Sequence, residues 1–125
     1  MITVIGMWEP GYSQEQNFLE DTIWKQTLSA FAVDRFLMVT ASTMMENLNS
    51  AIGDRVFMCY GSEGTETLKN FKHPQDAVYL FGIPGDNLRQ YIKTDDYKVH
   101  IETPNDVDML ACSCVAAVLY DRSLG

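Results

Sequence analysis

The chain has 125 residues, with 9 Lys+Arg against 17 Asp+Glu and a formal net charge of -8. That length suits one domain, 1–125, and is short for a second with its own core. With 46% apolar and 21% charged residues, disorder is excluded, as is a broad basic face that grips nucleic acid unaided.

Ile2-Thr3-Val4-Ile5-Gly6-Met7-Trp8 reads as a short strand, closed by the turn pair Pro10-Gly11. The pattern starts at once, with no basic n-region or apolar signal core, so no leader is expected. Ser13 and Asn17 offer helix caps. Beyond them Leu19, Ile23, Trp24, Leu28, Phe31 and Ala32 recur at spacings that predict one apolar helix face. Phe36–Val39 is a second strand. Met44, Met45, Leu48, Ala51 and Ile52 form another helical stripe, stopped by Gly53. Val56–Tyr60 is the third strand, and a short helix is expected around Glu66 to Phe71, before Pro74. Ala77–Phe81 is a fourth, wholly apolar strand ending at Gly82. A loop follows, then a helical piece with Leu88 and Ile92, the alternating strand Tyr97–Ile101, and a helix from about Asp106 to Tyr120.

Strands that alternate with helices, three of them apolar on both faces, predict an α/β fold: a parallel sheet with helices on both faces. Ligands in such sheets sit beyond the carboxyl ends of the strands, which directs attention to the loops at Gly61, Gly82 and Glu102. The last helix leaves almost no polar side, so a second cover is expected, and a homodimer through 106–120 supplies one. No apolar run approaches the roughly 20 residues that span a bilayer. Three cysteines, Cys59, Cys112 and Cys114, in apolar surroundings fit a reducing cytoplasm.

Several chemistries are missing. His73 and His100 come with no loop cysteine pair, so no zinc or other metal site is expected. Cys112-Ser113-Cys114 has the wrong spacing for a redox pair. The turn Gly82-Ile83-Pro84-Gly85 is neither a Walker loop nor a dinucleotide fingerprint, and Pro84 lacks the N–H a phosphate cradle would use. Trp8-Glu9-Pro10-Gly11-Tyr12, at the carboxyl end of the first strand, offers two rings that could stack on a base and one carboxylate; a plain turn with a half-buried aromatic is the other reading. Glu63, Glu66, Asp95 and Asp96 read as solvated surface.

Taken as one unit, the last third resembles a known family. Ala77-Val78-Tyr79-Leu80-Phe81-Gly82-Ile83-Pro84-Gly85-Asp86-Asn87-Leu88 is similar to the strand and Phe-Gly-x-x-Gly-x-x-Leu segment of SPOUT-class RNA methyltransferases. Val99-His100-Ile101-Glu102-Thr103-Pro104 falls where that class has its V-x-I-P strand and loop. Met109-Leu110-Ala111-Cys112 falls at its Ser-Leu-Asn-Val, and Val115–Tyr120 resembles the rest of its last helix. The resemblance implies a SPOUT-like domain with a C-terminal trefoil knot, dimeric through the last helix, binding S-adenosylmethionine. Three loops would hold that cofactor, largely by backbone: Tyr60 and Gly61; Phe81, Gly82, Ile83, Pro84 and Gly85; and Ile101, Glu102 and Thr103. Met109 and Leu110 would complete the pocket. Glycines there let backbone approach a ligand closely.

The sequence also departs from the family. Members that methylate the ribose 2′-oxygen carry Asn-x-Gly-x-x-x-Arg on the first long helix. Alignment on Phe31-Ala32-Val33-Asp34 sets Glu20 at the Asn position and Gln26 at the Arg position. The Ser and Asn of the last-helix motif become Met109 and Ala111, and a proline is displaced to Pro104. Glu9 and Lys25 are left as candidate catalytic groups. The resulting expectation is a minimal SPOUT-type RNA methyltransferase acting on a tRNA ribose or base, weakly bound to RNA by itself and open to help from a basic protein partner. Two alternatives stand beside it: a degenerate member that binds an adenosyl ligand or protein without methyl transfer, and an unrelated nucleotide-binding α/β protein.

Overall fold

Six strands pair through parallel ladders alone, in the order β2-β1-β5-β3-β6-β4. They are β1 (Ile2–Met7), β2 (Arg35–Val39), β3 (Asp54–Met58), β4 (Glu66–Thr67), β5 (Ala77–Leu80) and β6 (Tyr97–His100). The helices are α1 (Gln14–Ala30), α2 (Met44–Ser50) and α3 (Ala111–Leu124). This computed structural model describes residues 1–8, 10–59, 65–82, 88–105 and 109–125.

Period-two alternation sends each central strand into two cores. On one side Val4, Val56, Tyr79 and Val99 pack with Trp24 and Leu28 of α1 and Cys112, Val115, Val118 and Leu119 of α3. On the other, Ile5, Phe57, Val78 and Leu80 pack with Met44 and Leu48 of α2 and with Leu88. Helices on both faces are thus what the apolar strands required. β5, buried at every position, sits between β1 and β3.

Three elements differ from the sequence expectation. The helix expected around Glu66–Phe71 is instead the two-residue β4 followed by one 3-10 turn, Leu68–Asn70. β4 exists because β6 offers it an edge, with Glu66 opposite Val99 and Thr67 opposite His100, and a pairing partner 33 residues away leaves no local signal. The last helix starts at Ala111 rather than near Asp106 and runs past Tyr120 to Leu124. Leu110, in extended conformation, is its N-cap, and Arg122 holds its far end by bonds to the Pro74 and Gln75 carbonyls at 2.6 and 2.8 Å. Finally, the α1 stripe is not one buried face: Trp24 and Leu28 are buried, whereas Leu19 and Ile23 are exposed.

Candidate functional site

β1 leads through α1 to β2 on one side, while β5 leads to β6 on the other. The carboxyl ends of the neighbours β1 and β5 therefore flank a point where the chain diverges, the position where open α/β sheets bind ligands. A cleft open to solvent lies there. β1 contributes Met7 and Trp8, β2 contributes Met38, and Gly82 follows β5. Leu110 and Ala111 supply the start of α3.

The remaining wall is α1 with the turn before it, Tyr12, Asn17, Glu20, Asp21 and Trp24. Positions 17, 20, 21 and 24 share one face because i, i+3, i+4 and i+7 do so on any helix. A reciprocal capping box fixes where that helix begins. The Ser13 hydroxyl accepts from Gln16 N–H at 3.2 Å, and the Gln16 amide oxygen accepts from Ser13 N–H at 2.9 Å.

The floor is aromatic. Trp24 stacks on Phe36 at 5.3 Å between centroids and meets Phe81 edge-on at 5.7 Å. Gly6 makes this possible, since a Cβ there would stand 3.3 Å from the Trp24 ring and 2.8 Å from Met38 Sδ. Above the floor the polar side chains include Tyr12, Asn17, Glu20 and Asp21. Asp21 pairs with Lys25 at 2.7 Å. Glu20 faces the Cys112 thiol in the first turn of α3. Burial, and next the Glu20 charge and hydrogen bond, push that thiol above its ordinary pKa. A carboxylate beside the amino end of α3 also suits the helix dipole. Among the described residues, no lysine or arginine lines the cleft.

Of the residues singled out from the sequence, Gly82 and Leu110 are brought together here. Phe81 is 1% exposed, its ring set edge-on against Trp24. Ile101 is half-buried against the core, whereas Glu102, Thr103 and Met109 are exposed; the Thr103 hydroxyl donates to the Asn105 carbonyl at 2.6 Å. Glu9, Tyr60, Gly61, Ile83, Pro84 and Gly85 lie outside the described residues. Lys25 is exposed at the rim, and Gln26 is exposed as well. Asn17, Asp21 and Met38 line the cleft without having been singled out for it. The available signal was polar residues at helical spacing ahead of a tryptophan, on the face that Trp24 and Leu28 bury.

No model of a protein family matches the sequence, and no curated protein matches it. Solved structures do match the fold. One, described as giving structural insights into the 2-OH methylation of C/U34 on tRNA, superposes with a TM-score of 0.66 at 14% identity, covering 98% of this chain and 89% of its own. Another is the SpoU methyltransferase AviRb from Streptomyces viridochromogenes in complex with the cofactor AdoMet, with a TM-score of 0.63 at 11% identity. It covers 98% of this chain, which spans 58% of AviRb. At such identities the likeness is one of fold, and it runs through nearly the whole chain, well beyond the last third in which the sequence resemblance lies. The chain therefore has the fold of the SpoU-type, SPOUT-class methyltransferases.

Proposed function

We propose that this chain is an S-adenosylmethionine-dependent methyltransferase acting on RNA, with a tRNA ribose or base as acceptor. The carrying observation is the match along 98% of the chain to two structures, one concerned with 2-OH methylation on tRNA and one holding AdoMet. The residues present suit the cofactor. The cleft lies at the point of strand divergence, Gly82 opens it at backbone level, and Leu110 and Met7 give it apolar walls. Phe81, Gly82, Ile101, Glu102, Thr103, Met109 and Leu110 would hold the cofactor, together with Tyr60, Gly61, Ile83, Pro84 and Gly85. When bound it supplies an activated methyl group, and the chain's own task is to position the acceptor against it.

The same reading includes a homodimer through α3, supported by the exposed apolar residues Met109, Leu110, Tyr120 and Leu124 around that helix. It also includes the C-terminal trefoil knot and a cytoplasmic location. The three cysteines, Cys59, Cys112 and Cys114, suit a reducing compartment.

Calorimetric titration with S-adenosylmethionine tests the first step, with saturable binding expected below millimolar cofactor. Absence of heat at millimolar concentration overturns the proposal. Labelled methyl incorporation into bulk tRNA tests the second, and binding without incorporation points instead to the degenerate, ligand-binding alternative.

A further inference from the structure

β3 and β4 flank β6 in the sheet, and both meet it at the same rung. Met58 closes β3 opposite Val99, and Glu66 opens β4 opposite Val99. The chain between them therefore passes from one side of β6 to the other near the carboxyl end of that strand. Two strand spacings come to about 10 Å, while the six residue steps from Cys59 to Thr65 reach about 20 Å. A connection with that slack keeps one position only where bonds pin it against its own entropy. Two ties are present, and they fall on consecutive residues of β6. The Cys59 N–H donates to the Val99 carbonyl at 2.8 Å. The Thr65 hydroxyl shares a hydrogen bond with His100 Nδ1 at a part-buried place. A hydroxyl both donates and accepts, so this bond stands with either imidazole tautomer and with the imidazolium.

Thr67 supplies a contrast. It stands opposite His100 in the β4–β6 ladder, yet its buried hydroxyl has no hydrogen-bond partner among the described residues. The imidazole thus engages the threonine that ends the connection rather than the one beside it in the strand. His100 also leads directly into Ile101, Glu102 and Thr103, which share the proposed cofactor loops with Tyr60 and Gly61. Resting on the methyltransferase reading, we propose that His100 and Thr65 form a clasp that positions the connection after β3 against the loop after β6, and so sets the grip on S-adenosylmethionine. His100 is a positioning residue, acting through the two segments it joins.

Calorimetric titration with S-adenosylmethionine reads the effect, with melting curves to check that each variant folds. Thr65→Val keeps the branched shape, drops the hydroxyl and is expected to weaken cofactor binding at least fivefold. His100→Phe, which keeps a ring without its nitrogens, should do the same. The double variant should bind within twofold of the weaker single, because both changes break one bond. Thr65→Ser restores the hydroxyl and should bind within twofold of the parent. Thr67→Val removes the unpartnered hydroxyl and should also stay within twofold. In cofactor-free protein, amide exchange across residues 60–64 should quicken at least tenfold in Thr65→Val and keep its parent rate in Thr67→Val. Parent affinity in the folded Thr65→Val, an equal loss in Thr65→Ser or Thr67→Val, or unchanged exchange overturns the proposal; His100→Phe carries both readings if Thr65→Val does not fold. Cofactor binding by the parent with unaffected variants removes the clasp alone. A parent that binds no cofactor removes the methyltransferase reading and the clasp's role with it.

Discussion

Tyr79 is wholly buried in β5, and its hydroxyl joins His73, Asp121 and Arg122 into one network. The guanidinium donates to the phenol oxygen at 2.9 Å. His73 meets the phenol oxygen through Nδ1 at 2.7 Å and Asp121 through Nε2 at 2.7 Å. Tyr79→Phe leaves His73 and Arg122 each short of a partner at a part-buried site, and should cost about 1–3 kcal/mol in denaturant unfolding. A loss under about 0.5 kcal/mol would show that water replaces the phenol. Burial pushes the Tyr79 phenol up, against the lowering effect of Arg122, and it pushes the Cys112 thiol up as well. Both are then neutral in the folded state at a pH where the unfolded chain has begun to lose those protons. Stability is complete below the ordinary values and falls as pH climbs through the raised ones. Unfolding midpoints should be level to about pH 8 and decline toward about pH 10; a flat profile would refute the assignment. None of this network was legible in the sequence, where His73 stood alone, because its members come from a loop, a strand and a helix, with bonded partners up to 48 residues apart.

At the scale of elements, α1 does two jobs that its sequence pattern did not separate. Its second half buries Trp24 and Leu28, and its first half turns Asn17, Glu20 and Asp21 toward the cleft while Phe18 and Leu19 stand 75% and 61% exposed. Spacing revealed a helix, and an amphipathic rule then assigned the apolar residues to the core. Leu19 and Ile23 escape that rule because they lie on the far side of the helix from positions 17, 20, 21, 24 and 28, which share the inward face. The Ser13 cap sets where this first turn begins. Ser13→Ala should cost about 1 kcal/mol, read by thermal or denaturant melting, and should loosen the cleft wall at Asn17 before it affects Trp24. Amide exchange at residues 14–20 that stays as slow as in the parent would contradict this. The strands were the most legible elements, since four-residue apolar runs between turn signals have few other uses. β4 and the start of α3 were the least, being decided by an edge on β6 and by the extended Leu110.

For the molecule as a whole, the charge of -8 is unevenly placed. The site wall carries Glu20 and Asp21, whereas Arg35 and Arg55 sit at the starts of β2 and β3, and Arg122 reaches the loop ahead of β5. Those basic residues lie at the amino ends of the strands, away from the cleft at their carboxyl ends. Phosphate contacts dominate RNA affinity and weaken with salt, so unassisted tRNA binding should be undetectable at micromolar protein in about 0.15 M salt, by filter retention. Tight retention under those conditions would show that dimerisation assembles a basic surface.

The sequence by itself determined the class of fold. Apolar strands buried on both faces demand helices on both sides, and short β–α spacing demands parallel pairing. The last third, through its Phe81-Gly82 turn and the residues around Leu110, resembled the class whose fold the whole chain has. Only the tertiary structure decided which side chains share the cleft. Strand order placed β5 beside β1, which put Gly82 and Leu110 against Trp8, Glu20 and Asp21. Neighbours of that kind are set by the order in which strands pack, and no local pattern of residues records it.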